Sequence, residues 1–237
     1  MLENYVVIDL EMTGLNAKTD TILEVGAVRF RNGAEVACYT ALLHTGLRIS
    51  DKVKELTGIT QEMADAGREP EEAMREFFDF VGEDILVGQN VIFDYSFLKQ
   101  WAVNHRFSFE RSAVDTLKLA RKFLPEDCKK DLESLCEYFS IERENAHRAL
   151  FDARETGMIL ECLKAEYGGV APEEFEPRPL NYKAKRQTPA TAHQKEYLRN
   201  YAADKGIELP VDVDRLTRSE ASRLTDQWIA KYGRLSR

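Results

Sequence analysis

The sequence predicts an α/β fold, a mixed sheet with helices on its faces, followed by a small C-terminal helical module. Three observations carry this. Strand-like runs joined by a hairpin turn fill the N-terminal region; the period then becomes helical, with short apolar strands between helices; and a Gly/Pro-rich stretch precedes two terminal helix patterns. At 237 residues the chain can hold one full domain and an appendage. Its composition, 43% hydrophobic and 31% charged, is that of a soluble folded protein and not of a disordered one.

The first strand is expected over 4–9. Two more, Leu23 to Arg31 and Glu35 to Leu43, flank Asn32-Gly33, a strong hairpin signal, so the three form an antiparallel meander. Ser50 to Leu56 reads as a short helix ending near Gly58. Pro70 to Val81 is amphipathic, with apolar residues at 74, 77, 78 and 81. A strand at Ile85-Leu86-Val87 precedes a helix from Phe93 to His105, and a strand at Ala113-Val114 leads into a helix through Lys122. Further helices are expected at Asp131–Phe139 and Arg148–Glu166. These assignments divide the chain into a domain over 1–167, an extended, mobile linker over 168–190 with Gly168-Gly169 and four prolines, and a two-helix module over 191–237. In that module Thr191 to Lys205 stops at Gly206, and Thr217-Arg218-Ser219-Glu220 is a capping box for the last helix.

Charge is uneven. Residues 178–237 hold 13 Lys+Arg against 7 Asp+Glu, which leaves a net −14 on the first 177. Such a tail suits an anionic partner, or is simply a soluble basic helix pair. Lys183, Lys185, Arg186, Arg215, Arg218 and Arg223 are the candidate phosphate contacts. A stripe of Ala221, Leu224, Trp228 and Tyr232 is expected to be the module's own core rather than a base-stacking platform. The scattered Cys38, Cys128, Cys136 and Cys162 suggest reduced thiols, not a zinc site or disulfide framework. No apolar run reaches membrane-spanning length and the N-terminus has no signal-peptide pattern, so the expected address is cytoplasmic, with no membrane partner.

The chemistry-bearing residues fall in three stretches. In VVIDLEMTGL, Asp9 and Glu11 lie two apart on a strand and share a face, where a divalent, oxygen-preferring cation would relieve their repulsion. In VGQNVIFDYSFL, Asp94 sits in the first turn of a helix. In HRALFDA, His147 and Asp152 are about 140° apart on a helical wheel, so His147 is expected in the loop before the helix. Taken singly these are a solvated strand end, a helix-capping aspartate and a surface histidine.

Together and in this order they resemble the DEDDh family of 3′–5′ exonucleases, whose signatures here read DLEMTGL, NVIFDYSFL and HRALFDA. The likeness is strongest to the epsilon proofreading subunits of bacterial DNA polymerase III and the exonuclease insert of the Gram-positive replicative polymerase. It covers roughly residues 4–166 and includes LTGITQEMADAGRE. It implies a ribonuclease-H-like mixed five-stranded sheet and release of nucleoside monophosphates from the 3′ end of DNA, single-stranded or mispaired.

The resemblance also implies two divalent cations, Mg²⁺ or Mn²⁺, held by Asp9, Glu11, Asp94 and Asp152, with His147 as general base. Asp9, Glu11 and Asp152 would hold one ion, with Asp9 bridging to a second that Asp94 supports. An imidazole suits proton abstraction at neutral pH. Thr13 and Leu15 would contact the terminal nucleotide, with Asn90 and Phe93 supporting. Asp115-Thr116 matches a recurrent family pair without an evident role. Gln89 departs from the family, standing where many relatives have histidine.

DLEMTGL is equally the first signature of oligoribonuclease, so RNA trimming is the alternative; a non-catalytic nucleic-acid-binding module is the third reading, disfavoured because no acid is missing. A DNA polymerase partner is compatible with the likeness, and oligomeric state is not legible.

Overall fold

The computed structural model describes residues 2–45, 49–143, 145–209 and 213–235. Strands β1 (Asn4–Met12), β2 (Ile22–Arg31), β3 (Ala34–Leu42), β4 (Ile85–Gly88), β5 (Ser112–Asp115) and β6 (Arg178–Pro179) form one mixed sheet in the order β3-β2-β1-β4-β5-β6. The meander β1–β2–β3 is antiparallel, β1/β4 and β4/β5 are parallel, and β6 runs antiparallel to β5. The sheet thus has six strands where the sequence predicts five. The sixth lies inside the expected linker. Two residues long and containing a proline, it shows no alternation to read, and it sits at a sheet edge, where a missing N–H is tolerated.

The helices are α1 (Asp51–Thr57), α2 (Gln61–Asp65), α3 (Pro70–Val81), α4 (Ile92–Asn104), α5 (Thr116–Phe123), α6 (Leu132–Tyr138), α7 (Ala149–Tyr167), α8 (Ala192–Lys205) and α9 (Arg218–Tyr232), with 3-10 turns at Pro172–Phe175 and Val213–Arg215. Local chemistry sets many ends. Ser50 caps α1, which stops at left-handed Gly58. Asn32 and Gly33, both at positive φ, make the tight β2–β3 turn. The single-turn α2 was not expected, since five residues carry no helical period.

Strand β1 organises the interior by parity. Val6, Ile8 and Leu10 pack in a layer with Met74, Phe77 and Phe78 of α3 and Tyr95 and Leu98 of α4. Tyr5 and Val7 face the other layer, with Val28 and Phe30 of β2 and Ile159, Leu160 and Leu163 of α7. Asp9 and Glu11 continue the odd-numbered face, so they emerge toward α7.

Beyond Tyr167 the expected linker is tied down. Phe175 is buried, stacking on Phe123, and Leu180 and Tyr182 pack against the α3/α4 layer. The Gln100 amide donates to the Lys185 carbonyl at 2.9 Å. Gln187 exchanges hydrogen bonds with Asn104 and also donates to the Lys18 carbonyl. Helices α8 and α9 share a separate core of Ala190, Leu198, Tyr201, Ala202, Val213, Ala221 and Trp228, and each begins with a capping box. Of the expected stripe, Ala221 and Trp228 are buried and Leu224 packs against them, whereas Tyr232 is exposed.

Candidate active site

The end of β1 delivers Asp9 and Glu11 beneath the start of α7. Helix α7 begins at Ala149, so His147 lies in the preceding loop, as the wheel argument requires, and Asp152 occupies its first turn. His147 holds a left-handed backbone (φ 61°) and is exposed. Glu11, His147 and Asp152 each bring one ligand-capable atom within 4.8 Å of the others. That trio leaves out Asp9 and Asp94, which join electrostatically rather than as part of the same tight cluster.

Asp94 reaches the site from the opposite layer. β4 pairs with β1 only from Tyr5 to Val7, and the Asp94 carboxylate accepts from the Leu10 amide at 3.1 Å just beyond that ladder. The loop before α4 is held by Asp115, whose carboxylate accepts from the Asn90 amide at 3.0 Å, with Asn90 at φ 61°. Asp115 also caps α5 through Leu117. The Asp115-Thr116 pair, without a role in the sequence, thereby places the turn that carries Asp94. Gln89 is committed elsewhere, donating to the Lys130 carbonyl at 2.7 Å and accepting from Thr116 at 2.5 Å.

The electrostatics are those of acids lacking enough positive charge. Burial, then the neighbouring Asp94, Glu11 and Asp152, hold the Asp9 carboxyl well above its usual range. Burial, then Asp152 and Glu24, push Glu11 up to about 8 against the pull of Arg148. Asp94 is raised mainly by burial, as is Asp152, where Arg143 opposes the shift. The donors are carboxylate oxygens with one imidazole nearby, the set that hard divalent cations prefer. These residues fit such ions.

The other candidates are less close-knit. Thr13 closes the loop after β1, its hydroxyl accepting from the Thr21 amide at 3.0 Å, and Leu15 on that loop is 83% exposed. Asn90 is exposed, and Phe93 is half-buried edge-on to Phe97. Lys183, Lys185, Arg186, Arg218 and Arg223 are exposed; the Arg215 side chain lies outside the described residues.

Two arginines escape a motif reading. Arg143 bridges Asp152 and Glu155, both at 2.7 Å, and Arg148 grips Glu24. The available signals were Glu155 three residues after Asp152 on one helix face and Glu24 alone in the apolar run ILEVGAV.

The Exonuclease family typified by RNase T matches residues 6–160. The chain belongs to this exonuclease family. That agrees with the resemblance carried by DLEMTGL, NVIFDYSFL and HRALFDA, and its enzymatic class is hydrolytic nuclease. The chain is 37% identical over 169 residues to DNA polymerase III subunit epsilon of Aquifex aeolicus, covering 69% of this chain and 84% of that one. It is 38% identical over 161 residues to DNA polymerase III PolC-type of Oceanobacillus iheyensis, covering 67% of this chain. It spans only 11% of that relative's length. Among solved structures it is similar to exonuclease X in complex with 5′ overhanging duplex DNA (TM-score 0.58, 23% identity, 72% of this chain and 97% of that one). It is also similar to E. coli exonuclease I in complex with a dT13 oligonucleotide (TM-score 0.63, 19% identity, 73% and 42%). These two likenesses establish the shared fold.

Proposed function

We propose that the protein is a 3′–5′ exonuclease that releases nucleoside monophosphates from single-stranded or mispaired 3′ ends of DNA, in proofreading or repair. One observation carries the reading: Glu11 at the end of β1 meets His147 and Asp152 within a chain that aligns along most of an epsilon subunit. Asp9, Glu11, Asp94 and Asp152 would hold two divalent cations, Mg²⁺ or Mn²⁺. Such ions, when bound, neutralise the phosphate and acidify the attacking water. His147, exposed beside Glu11 and Asp152, takes the proton from that water. Leu15 and Thr13 stand on the loop after β1 to meet the terminal nucleotide, while Asn90 and Phe93 support the turn beside Asp94.

The exposed cations Lys183, Lys185, Arg186, Arg218 and Arg223, with Arg215, would contact phosphates further along the strand. A polymerase partner fits the epsilon likeness. A cytoplasmic setting suits the free Cys38, Cys128, Cys136 and Cys162; among the described residues no helix is long and apolar enough to cross a membrane.

RNA trimming is the second reading, favoured by DLEMTGL. Incubating 5′-labelled single-stranded DNA and RNA of matched sequence with Mn²⁺ or with EDTA separates the two. Metal-dependent shortening from the 3′ end, faster on DNA and abolished in Asp152→Ala, is the expected result. Faster shortening of RNA transfers the assignment, and no shortening of either by folded protein leaves a binding module.

A further inference from the structure

Strand β2 carries one carboxylate on its buried face, Glu24, paired in register with Glu11 across β1 and only 3% exposed at the side chain. Three N–H groups converge on it. Arg148 donates through Nη2 at 2.7 Å and through Nε at 3.0 Å, and the Ala149 backbone amide donates at 3.1 Å. One carboxylate therefore holds both the side chain that follows His147 and the first amide of α7. Two residues along β2, on the same face, Gly26 lets the helix settle: a Cβ there would stand 2.2 Å from the Ala149 carbonyl carbon. Immediately before these anchors His147 keeps a backbone conformation that costs a non-glycine residue free energy and persists only where its surroundings enforce it.

We propose that Glu24 is a positioning residue: gripping Arg148 and Ala149, it fixes the left-handed turn that aims the His147 imidazole at Glu11 and Asp152. This rests on the reading of His147 as the group that takes the water's proton. Glu24 touches neither substrate nor the reacting atoms; it acts through His147. A pair serving stability alone would have no reason to depend on that imidazole.

The test is a double-mutant cycle on the full chain, combining Glu24→Gln with His147→Ala. It reads kcat and KM on a 5′-labelled single strand, with Mn²⁺ binding by calorimetry. Glutamine keeps an acceptor for Ala149 but loses the charge that holds the guanidinium. Glu24→Gln is expected to lower kcat about tenfold or more, up to the roughly 10²–10⁴-fold of fully lost general-base catalysis, and to leave KM and Mn²⁺ affinity within about twofold. In the His147→Ala background it is expected to cost nothing further, the non-additivity of residues that act as a unit. Arg148→Lys, which keeps a positive charge beside Glu24 but not the two-pronged grip, should show the same pattern and serves if Glu24→Gln does not fold. Equal losses in both backgrounds would make the pair merely structural. A rise in KM with kcat unchanged would make Arg148 a substrate contact; either result overturns the proposal. Should His147→Ala alone retain full rate, the general-base reading fails first, and the positioning role with it.

Discussion

At the scale of single residues, the acids of the site oppose folding when they are ionised without a counter-charge. The Glu11 carboxyl stands at about 8 in the folded chain against an unfolded value of about 4.3, and Asp9, Asp94 and Asp152 are raised as well. A raised carboxyl contributes stability that is fully present below the unfolded value and is lost as pH climbs through the folded one. Metal-free protein should therefore melt at progressively lower temperature between about pH 4.3 and pH 8. Divalent cation at 100 times its Kd should return about 2.7 kcal/mol, most visibly at the alkaline end. Thermal melts with and without Mg²⁺ check this; an equal gain in Asp9→Ala would place the ion elsewhere. His147→Ala should keep Mn²⁺ binding while slowing turnover about 10²–10⁴-fold, and unchanged turnover would remove the imidazole from the chemistry. Arg143→Ala strips the counter-charge from two buried carboxylates, Asp152 and Glu155, and should cost about 3 kcal/mol. Added Mn²⁺ should recover part of that loss, because it replaces positive charge beside Asp152; urea titrations in both conditions measure it.

At the scale of elements, the site depends on how closely α7 lies on the sheet. Gly26 faces the Ala149–Leu150 backbone and Gly157 faces the Phe30 ring, so neither leaves room for a Cβ without movement. Gly26→Ala should cost about 1–3 kcal/mol through overpacking. It should cut activity further than the loss of fold alone explains, since His147 and Asp152 ride on the displaced end. Calorimetry beside initial rates decides it, and a variant matching the parent in both would mean the helix end yields freely. Much of this architecture was legible in sequence because its signals are local. Asn32-Gly33 marks a turn, Pro70 to Val81 shows a helical period, and Asp9, Glu11, Asp94, His147 and Asp152 lie in recognisable stretches. The parts that were not legible are long-range. No local pattern announces that Arg148 will meet Glu24, 124 positions earlier, or that Arg178 and Pro179 will add a sixth strand.

At the scale of the whole molecule, the segment after α7 divides in two. Residues 178–187 belong physically to the exonuclease body through β6, Leu180, Tyr182 and the Gln187 contacts, whereas α8 and α9 have a core of their own. Truncation after Gln187 should therefore preserve the melting temperature while weakening single-strand binding. It should flatten the salt dependence by roughly 0.7 in slope for each phosphate contact removed. Truncation after Pro177 should lower the melting temperature too, by uncovering the α3/α4 layer. Fluorescence anisotropy at several salt concentrations tests both; an unchanged slope would make the module a protein-docking element. The parity of β1 has a last consequence. Because one face of the strand carries Val6, Ile8 and Leu10 and the other carries Asp9 and Glu11, a pairing slip of one residue would drive both acids into the aliphatic layer. The two carboxylates proposed to hold the metal ions would thus also penalise mispairing of their own strand as the chain folds.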